Sequence, residues 1–353
     1  MSRISWLLLL LSTPIPALAQ TSVATPELPK ESAEVFAAAV PFYNFNDETL
    51  KSWHLKATYQ LYDDNGKPAE QGTYEYWWAS PLVHRSTWTR PGATHTDWYT
   101  ADGKHAYYGV GERLKFFEYQ LQSQLFSPLP EPGDLDPARS RFQREAISLG
   151  SVKFPCIMII PQMPLHGRLQ TVPMGIFPTY CFDPKAPVLR LDYSLGTVAT
   201  EFNKIVRMQN RYLAREITML EGTKKILTAN VDAITALSPA DPALTPSPEI
   251  PASKIEKPVD IAGGIAAGSV IKKQAPFYPQ DAKQAGISGT VILEALIGMD
   301  GAVHNLRVIS APWPSLASAS LWAVSQWQYK PYILNGEPVE VKTTINVIFA
   351  LGN

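Results

Sequence analysis

Six histidines and two cysteines are the side chains with the most chemistry to offer in this chain. The histidines are His54, His84, His95, His105, His166 and His304, and none stands in H-E-x-x-H or another tight pair. That spacing is what lets one helix face present two imidazoles to a zinc ion. His95, Asp97, Asp102 and His105 lie close in sequence on neighbouring expected strands, where they could meet in space, but exposed hairpin polarity also accounts for them. There is no G-x-S-x-G elbow, no phosphate-cradling loop and no catalytic cysteine context. The residues therefore read as those of a non-enzyme with no cofactor and no metal site. Cys156 and Cys181 are not spaced as zinc ligands. In an oxidising compartment an even pair suggests one disulfide closing a short loop, worth roughly 3 kcal/mol by loop entropy. Two buried free thiols are the alternative.

The elements that would position these residues are set by bulk properties first. A length of 353 residues allows two or three domains with real cores. Hydrophobic residues at 45% and charged residues at 18% make the chain globular, and a net charge of -1 implies no basic surface of nucleic-acid-binding strength. Residues 1–19 have the form of a secretory signal. Arg3 supplies the positive start, residues 4–11 the apolar core, and Ala17-Leu18-Ala19 an A-x-A site cleaved between Ala19 and Gln20. The expected location is the periplasm. An uncleaved inner-membrane anchor is the alternative, although the apolar run is short for a bilayer.

Residues 20–41 read as a leader segment, and residues 42–237 as an antiparallel β-rich domain. Residues 53–61 alternate apolar and polar, as a half-buried strand does. Asp63-Asp64-Asn65-Gly66 is a hairpin turn, expected to take positive φ at Asn65 and Gly66. Residues 72–78, 83–90 and 94–100 continue a meander into His105-Ala106-Tyr107-Tyr108. Leu114, Phe117, Leu121 and Leu125 predict a helix, and Asp136-Pro137 resembles an N-cap opening a second helix to about Ile147. Strands resume at residues 152–160 and run in series to residue 233. Residues 238–262 are Pro-rich and predict a semi-rigid spacer, reaching on the order of 60 Å in polyproline form.

Residues 263–353 change pattern. Val291, Leu293, Ala295 and Ile297 share one strand face, and Met299-Asp300-Gly301 turns the chain into a second strand, residues 303–310. Leu316, Ala319, Ala323, Val324 and Trp327 mark the buried stripe of a helix that Pro331 stops. Asn335-Gly336 turns into a last strand, with Val339, Val341, Ile345, Val347, Phe349 and Leu351 on one face. The fold class expected is α+β: a large antiparallel meander or half-barrel with a helical insertion, then a small antiparallel sheet covered by one helix.

On these pieces the C-terminal region resembles the C-terminal domain of the energy-transducer TonB family. Those that carry the likeness are Pro276-Phe277-Tyr278-Pro279 with Ala282, Gly289-Thr290-Val291, Asp300-Gly301-Ala302-Val303, Trp327-Gln328-Tyr329-Lys330-Pro331 and Asn335-Gly336-Glu337-Pro338-Val339. The resemblance implies a sheet-edge strand that accepts a periplasmic segment of an outer-membrane TonB-dependent transporter by β-augmentation. The receiving residues would be Val341, Lys342, Thr343, Thr344, Ile345, Asn346, Val347, Ile348 and Phe349. A second copy of the chain is an alternative occupant, giving a homodimer. The family's receptor-touching Gln before Pro-x-Tyr-Pro is here Ala275, with Gln274 one residue earlier. Energy-transducing members carry a membrane helix with a Ser…His pair that engages inner-membrane motor proteins, and no histidine precedes His54 here. Residues 42–237 are similar to the half-barrel of periplasmic outer-membrane lipoprotein carriers. The likeness rests on the helix-interrupted antiparallel sheet and on Tyr180-Cys181-Phe182-Asp183 leading into Val188-Leu189-Arg190. It implies a concave face able to hold an acyl chain, where the same side chains would otherwise fill a core. The functions expected are thus coupling to outer-membrane transport or, alternatively, lipid or lipoprotein carriage, or a structural envelope adaptor that uses the last domain only for docking.

Overall fold

Burial of every second residue organises the first half of the chain. Trp53, Leu55, Ala57, Tyr59 and Leu61 point inward from β1 (Trp53–Tyr62), and Tyr74, Tyr76 and Trp78 from β2 (Pro68–Ser80). The computed structural model describes residues 25–161, 177–195, 198–254, 257–263 and 269–351. The expected signal segment, with Ala19 and Gln20, lies outside them, as does His166. No helix among the described residues is long and apolar enough to cross a membrane.

The meander continues through β3 (Val83–Arg90), β4 (Ala93–Tyr99) and β5 (Lys104–Val110). After a helical interruption it resumes with β6 (Ser140–Leu149), β7 (Val152–Pro161), β8 (Thr179–Phe182), β9 (Leu189–Leu195), β10 (Val198–Met208), β11 (Arg211–Glu221) and β12 (Lys224–Ala236). β12 closes back on β1, so both meanders fuse into one 13-stranded sheet when the short strand β13 (Ala252–Lys254) is added beyond β5. In the turn between β1 and β2, Asp63 Oδ1 accepts from the amides of Asn65 and Lys67, both at 2.9 Å. That side-chain turn leaves only Gly66 at positive φ (+74°), and Asn65 is not left-handed as the turn reading expected.

Two helices fill the inner face. In α1 (Ser32–Ala39), Val35, Phe36 and Ala39 are buried, and the Phe36 ring meets Tyr180 and Phe182 at 5.6 and 5.7 Å. Residues expected to be a leader therefore belong to the core, because this Ala-rich run has one continuous apolar face. The second helix, α2 (Phe116–Phe126), sets Phe126 against Trp53 and Tyr76 at 5.4 and 4.6 Å. Its Glu118 is fully buried, and each carboxylate oxygen is used. One accepts Tyr59 OH at 2.5 Å, the other the Lys115 amide at 2.7 Å, and Arg90 Nε stands 3.5 Å away. Removing one partner of such a buried ion pair typically costs about 3–5 kcal/mol.

The helix expected from Asp136 to about Ile147 is not formed. Asp136 Oδ1 does accept the Ala138 amide at 2.9 Å, but the turn stops there. From Ser140 the chain becomes β6, because β7 offers it an antiparallel ladder from Ser140 opposite Pro161 to Leu149 opposite Val152. Cys156 and Cys181 stand opposite each other on β7 and β8 and are joined by a disulfide (S–S 2.01 Å).

Residues 238–262 are not a free spacer. Asp241 caps a tight turn, Pro242–Leu244, in which Leu244 is buried, and Arg85 Nη1 and Trp98 Nε1 donate to the Ala243 carbonyl at 3.3 and 3.0 Å. β13 then pairs with β5, and β14 (Val259–Asp260) with the C-terminal domain. The prolines keep this strap extended, but hydrogen bonds to the sheet hold it down. Beyond it come β15 (Val270–Lys272), α3 (Gln280–Gln284), β16 (Gly289–Ile297), β17 (Val303–Ser310), α4 (Pro314–Val324), β18 (Gln328–Tyr329), β19 (Tyr332–Leu334), β20 (Glu337–Val339) and β21 (Val341–Phe349). Leu316, Ala319 and Val324 of α4 share one buried cluster with Val291, Leu293, Ile345 and Val347.

Asp192 tests how this core tolerates charge. It is fully buried below α2, and desolvation pushes its carboxyl up to about 7 against the hydrogen bonds from Ser194. Its Oδ2 finds no hydrogen-bond partner among the described residues, nor does Gln124 Oε1. The folded state therefore holds the proton more tightly than the unfolded chain, so stability falls as pH rises from about 4 to about 7. Asp192→Asn, which is neutral and adds a donor, is expected to raise the melting temperature at pH 7.5 and to flatten that fall. Thermal unfolding from pH 4.5 to 8 measures both.

Candidate functional site

The C-terminal sheet has the order β14-β21-β16-β17, and its two ends are treated differently. The β17 end lies against α2, whose Gln120 Nε2 donates to the His304 carbonyl at 2.8 Å. The first domain thus packs against that end. At the other end β21 runs antiparallel to β16, from Val341 opposite Ile297 to Phe349 opposite Gly289. Val341, Thr343, Ile345, Val347 and Phe349 are buried, while Lys342, Thr344, Asn346 and Ile348 are exposed, Ile348 at 73%. Lys342 Nζ reaches Glu294 at 3.2 Å, and Glu294 also receives Arg307 Nη2 at 2.9 Å.

The expectation that β21 is the free edge needs correction over its first half. β14 lies alongside it, parallel, with Val259 opposite Val341 and Asp260 opposite Lys342. Val259 N–H donates to Glu340 O at 2.9 Å and Ile261 N–H to Lys342 O at 3.0 Å, while Thr343 Oγ1 donates to Ile261 O at 3.0 Å. A strand residue points its N–H and C=O to the same side, and alternate residues agree. Lys342, Thr344, Asn346 and Ile348 therefore aim their backbone groups away from β16. From Ile345 to Phe349 no strand pairs with that side among the described residues. The covering strand was hidden from sequence reasoning because Val259-Asp260-Ile261 is a three-residue apolar-polar-apolar pattern inside a Pro-rich stretch. Pro258 before it was the one signal of extended backbone there.

Gln274 and Ala275 are exposed ahead of Phe277, itself 63% exposed. The Gln274 carbonyl accepts Trp327 Nε1 at 2.7 Å, so its backbone is fixed while its side chain turns only to the Ala275 carbonyl at 3.3 Å. Tyr278 instead packs its ring edge on Phe349 at 5.3 Å.

The histidine cluster falls at the seam between the domains. His105 Nε2 lies 2.7 Å from Asp97 Oδ1, whereas buried His95 spends its nitrogens on Tyr107 OH at 2.6 Å and Glu112 O at 2.7 Å. Asp102 turns away to Lys104 at 2.6 Å. No group of three or more His, Cys, Asp or Glu among the described residues is arranged to hold a metal. Across the seam, Tyr119 of α2 stacks on His304 at 4.0 Å, Phe117 meets Trp322 at 5.2 Å, and Arg113 Nη1 donates to Asp300 O at 2.7 Å. A cavity of about 600 Å³ opens along it, lined by Leu61, Phe116, Phe117, Ile226, Trp322 and Lys272 among others. The aromatic face read as either core or acyl-binding surface is core where α1 and α2 cover it.

Residues 274–351 match the family described as Gram-negative bacterial TonB protein C-terminal. The chain is 34% identical over 77 residues to Protein TonB of Vibrio cholerae serotype O1, a stretch that is 22% of this chain and 32% of that protein. The chain thus spans about a third of the length of the curated relative it matches. Among solved structures, a putative outer membrane lipoprotein-sorting protein domain from Vibrio parahaemolyticus is similar at 10% identity and a TM-score of 0.29, over 58% of this chain and 91% of that one. A LolA superfamily protein from Nitrosomonas europaea is similar at 9% identity and a TM-score of 0.29, over 64% of this chain and 99% of that one.

His304 makes the seam sensitive to pH. Burial opposes its charge, but Asp300 at 3.1 Å and Glu340 at 3.7 Å outweigh that and raise the imidazole to about 9. Its folded value thus exceeds the ordinary 6.5, so the stabilisation is whole below pH about 6.5 and lost as pH rises through about 9. His304→Gln is expected to melt several degrees lower at pH 6 and to converge on the wild type by about pH 10. The difference between the two melting curves across that range is the measurement.

Proposed function

We propose that this chain is an envelope protein that couples to outer-membrane transport by accepting a strand. An extended periplasmic segment of an outer-membrane transporter is added along β21 of the TonB C-terminal domain. The observation that carries this reading is the asymmetry of the C-terminal sheet. One end packs against α2, and at the other β21 presents outward backbone groups at Asn346 and Ile348, with an exposed stripe of Thr344, Asn346 and Ile348 beside them. Unpaired N–H and C=O groups on an edge accept a strand from another chain, and alternate side chains supply selectivity. The family match over residues 274–351 and the likeness to Protein TonB support the choice of a transporter segment as that strand. The large sheet domain would then be the body to which a pull on β21 is passed, through the packed seam at α2. A second copy of the chain is the competing occupant of the same edge.

Asn346 offers a clean test. Its N–H points away from β16, so Asn346→Pro deletes one outward donor while leaving the β16 ladder whole, and edge strands tolerate proline. A photo-crosslinking side chain at Ile348 in growing cells is expected to capture a β-barrel transporter, identified by mass spectrometry. Asn346→Pro should reduce that capture roughly tenfold, the effect of about 1.4 kcal/mol of lost pairing, and Asn346→Ala should not. Capture of only a second copy of the chain, or undiminished capture in Asn346→Pro, would sink the reading.

A further inference from the structure

The acceptor edge is not bare: the chain lays its own strand along part of it. We propose that residues 257–263 are a built-in guard, which occupies Val341 to Thr344 of β21 and must leave before a partner strand can extend over the whole edge. This rests on the strand-accepting reading above and concerns the regulation of that same site.

Three features argue that the guard is a seated strand and not a passing loop. It has strand register on β21, with its two amide donors, Val259 and Ile261, spaced to meet the carbonyls of Glu340 and Lys342. Its partly buried residues, Val259 and Ile261, join the apolar cluster beneath the sheet, while Asp260 between them faces out. Its end is fitted to the acceptor, since a Cβ on Gly263 would lie 2.4 Å from Thr344 O, so only glycine lets the backbone come this close.

The same features make it removable. The ladder is only two residues long, Val259 and Asp260, and Pro258 before it can donate nothing. Short edge strands of this kind are a common protection of sheet edges against unwanted pairing. The guard persists because it is tethered: the strap fixed at β13 keeps it at a high effective concentration beside β21. A partner strand that continues past Thr344 to Phe349 would satisfy outward groups the guard never reaches. It would therefore displace the guard despite the tether, with an apparent affinity reduced by the fraction of time the guard is seated.

The test uses the full chain. Lys342 has its N–H and C=O facing the guard, whereas Val341 and Thr343 face β16. Hydrogen exchange is measured in the wild type, in Gly263→Val, which crowds Thr344 O, and in Ile261→Pro, which deletes the donor to Lys342 O. The Lys342 amide is expected to exchange roughly tenfold faster in both variants, equivalent to about 1.4 kcal/mol of lost protection, with Val341 and Thr343 unchanged. A synthetic peptide of residues 257–263, added in trans, should bind both variants at least about tenfold more tightly than the wild type. It should not bind a form locked by Asp260→Cys with Lys342→Cys. Crosslinking from Ile348 should rise in the variants and fall in the locked form. Wild-type Lys342 exchanging as fast as in the variants, or a locked form that captures a transporter undiminished, overturns the guard while leaving strand acceptance standing. Slow wild-type exchange that is released in the variants, with neither peptide nor transporter taking the vacated edge, overturns strand acceptance and with it the guard.

Discussion

A helix buried on every side must find a partner for each of its polar groups, because an unpaired donor or acceptor in an apolar interior costs on the order of 1–3 kcal/mol. α2 buries Glu118, Gln120 and Gln124 between the two sheets, and the way most of their polar atoms find partners ties those sheets together. Towards the large sheet, Glu118 takes Tyr59 and its own N-terminal amide beside Arg90, and Gln124 reaches Ser194 at 3.1 Å. Towards the small sheet, Gln120 reaches the His304 carbonyl, and Tyr119 lies on the His304 ring. Glu118 depends on the large sheet for Tyr59, and Gln120 on the small one for the His304 carbonyl. The two sheets are therefore joined by polar contacts of fixed direction, and not by apolar contact alone.

That constraint decides which backbone groups of the C-terminal sheet are left for a partner. With β17 turned to α2, the opposite end carries β21, and it is along β21 that the proposed strand addition would take place. The buried alternation of β21 anchors it in the core under α4, so its outward groups are held in place without a partner present. Strand addition to a preformed edge requires little ordering of the acceptor, which favours affinity for a given set of hydrogen bonds. The strap of residues 238–262 works in the opposite sense. Held at Ala243 and β13, it delivers β14 to the same edge and fills its first half.

Sequence reasoning reached the strands wherever alternation ran for several residues, because the period of two is a local property of a half-buried ladder. β1, β3 and β4 were read within a residue for that reason, and β21 within two at each end. It failed at β6, where Asp136-Pro137 gives a true local cap but β7 offers a ten-residue ladder that one turn of helix cannot match. It failed again along the strap, where prolines correctly signal extended backbone but say nothing about what lies beside it. Glu118 and Gln120 were missed altogether, since an acid and an amide on a helix read as its solvent face until another domain is placed over them.

What the sequence by itself determined is the identity of the local pieces: the alternation of β21, the turns, the pairing-competent cysteines and the motifs by which residues 274–351 match the TonB C-terminal family. All of these depend on neighbours along the chain, so they survive without knowledge of the fold. Only the tertiary structure decided which edge of the last sheet packs against α2, that His304 is held between Asp300 and Glu340 under Tyr119, and that residues 259–261 lie alongside β21. Most of these depend on contacts between residues far apart along the chain, such as Ile261 with Thr343 and Gln120 with His304, 82 and 184 positions apart. No periodicity or spacing encodes such contacts, because they arise from how two finished surfaces satisfy each other's polar groups.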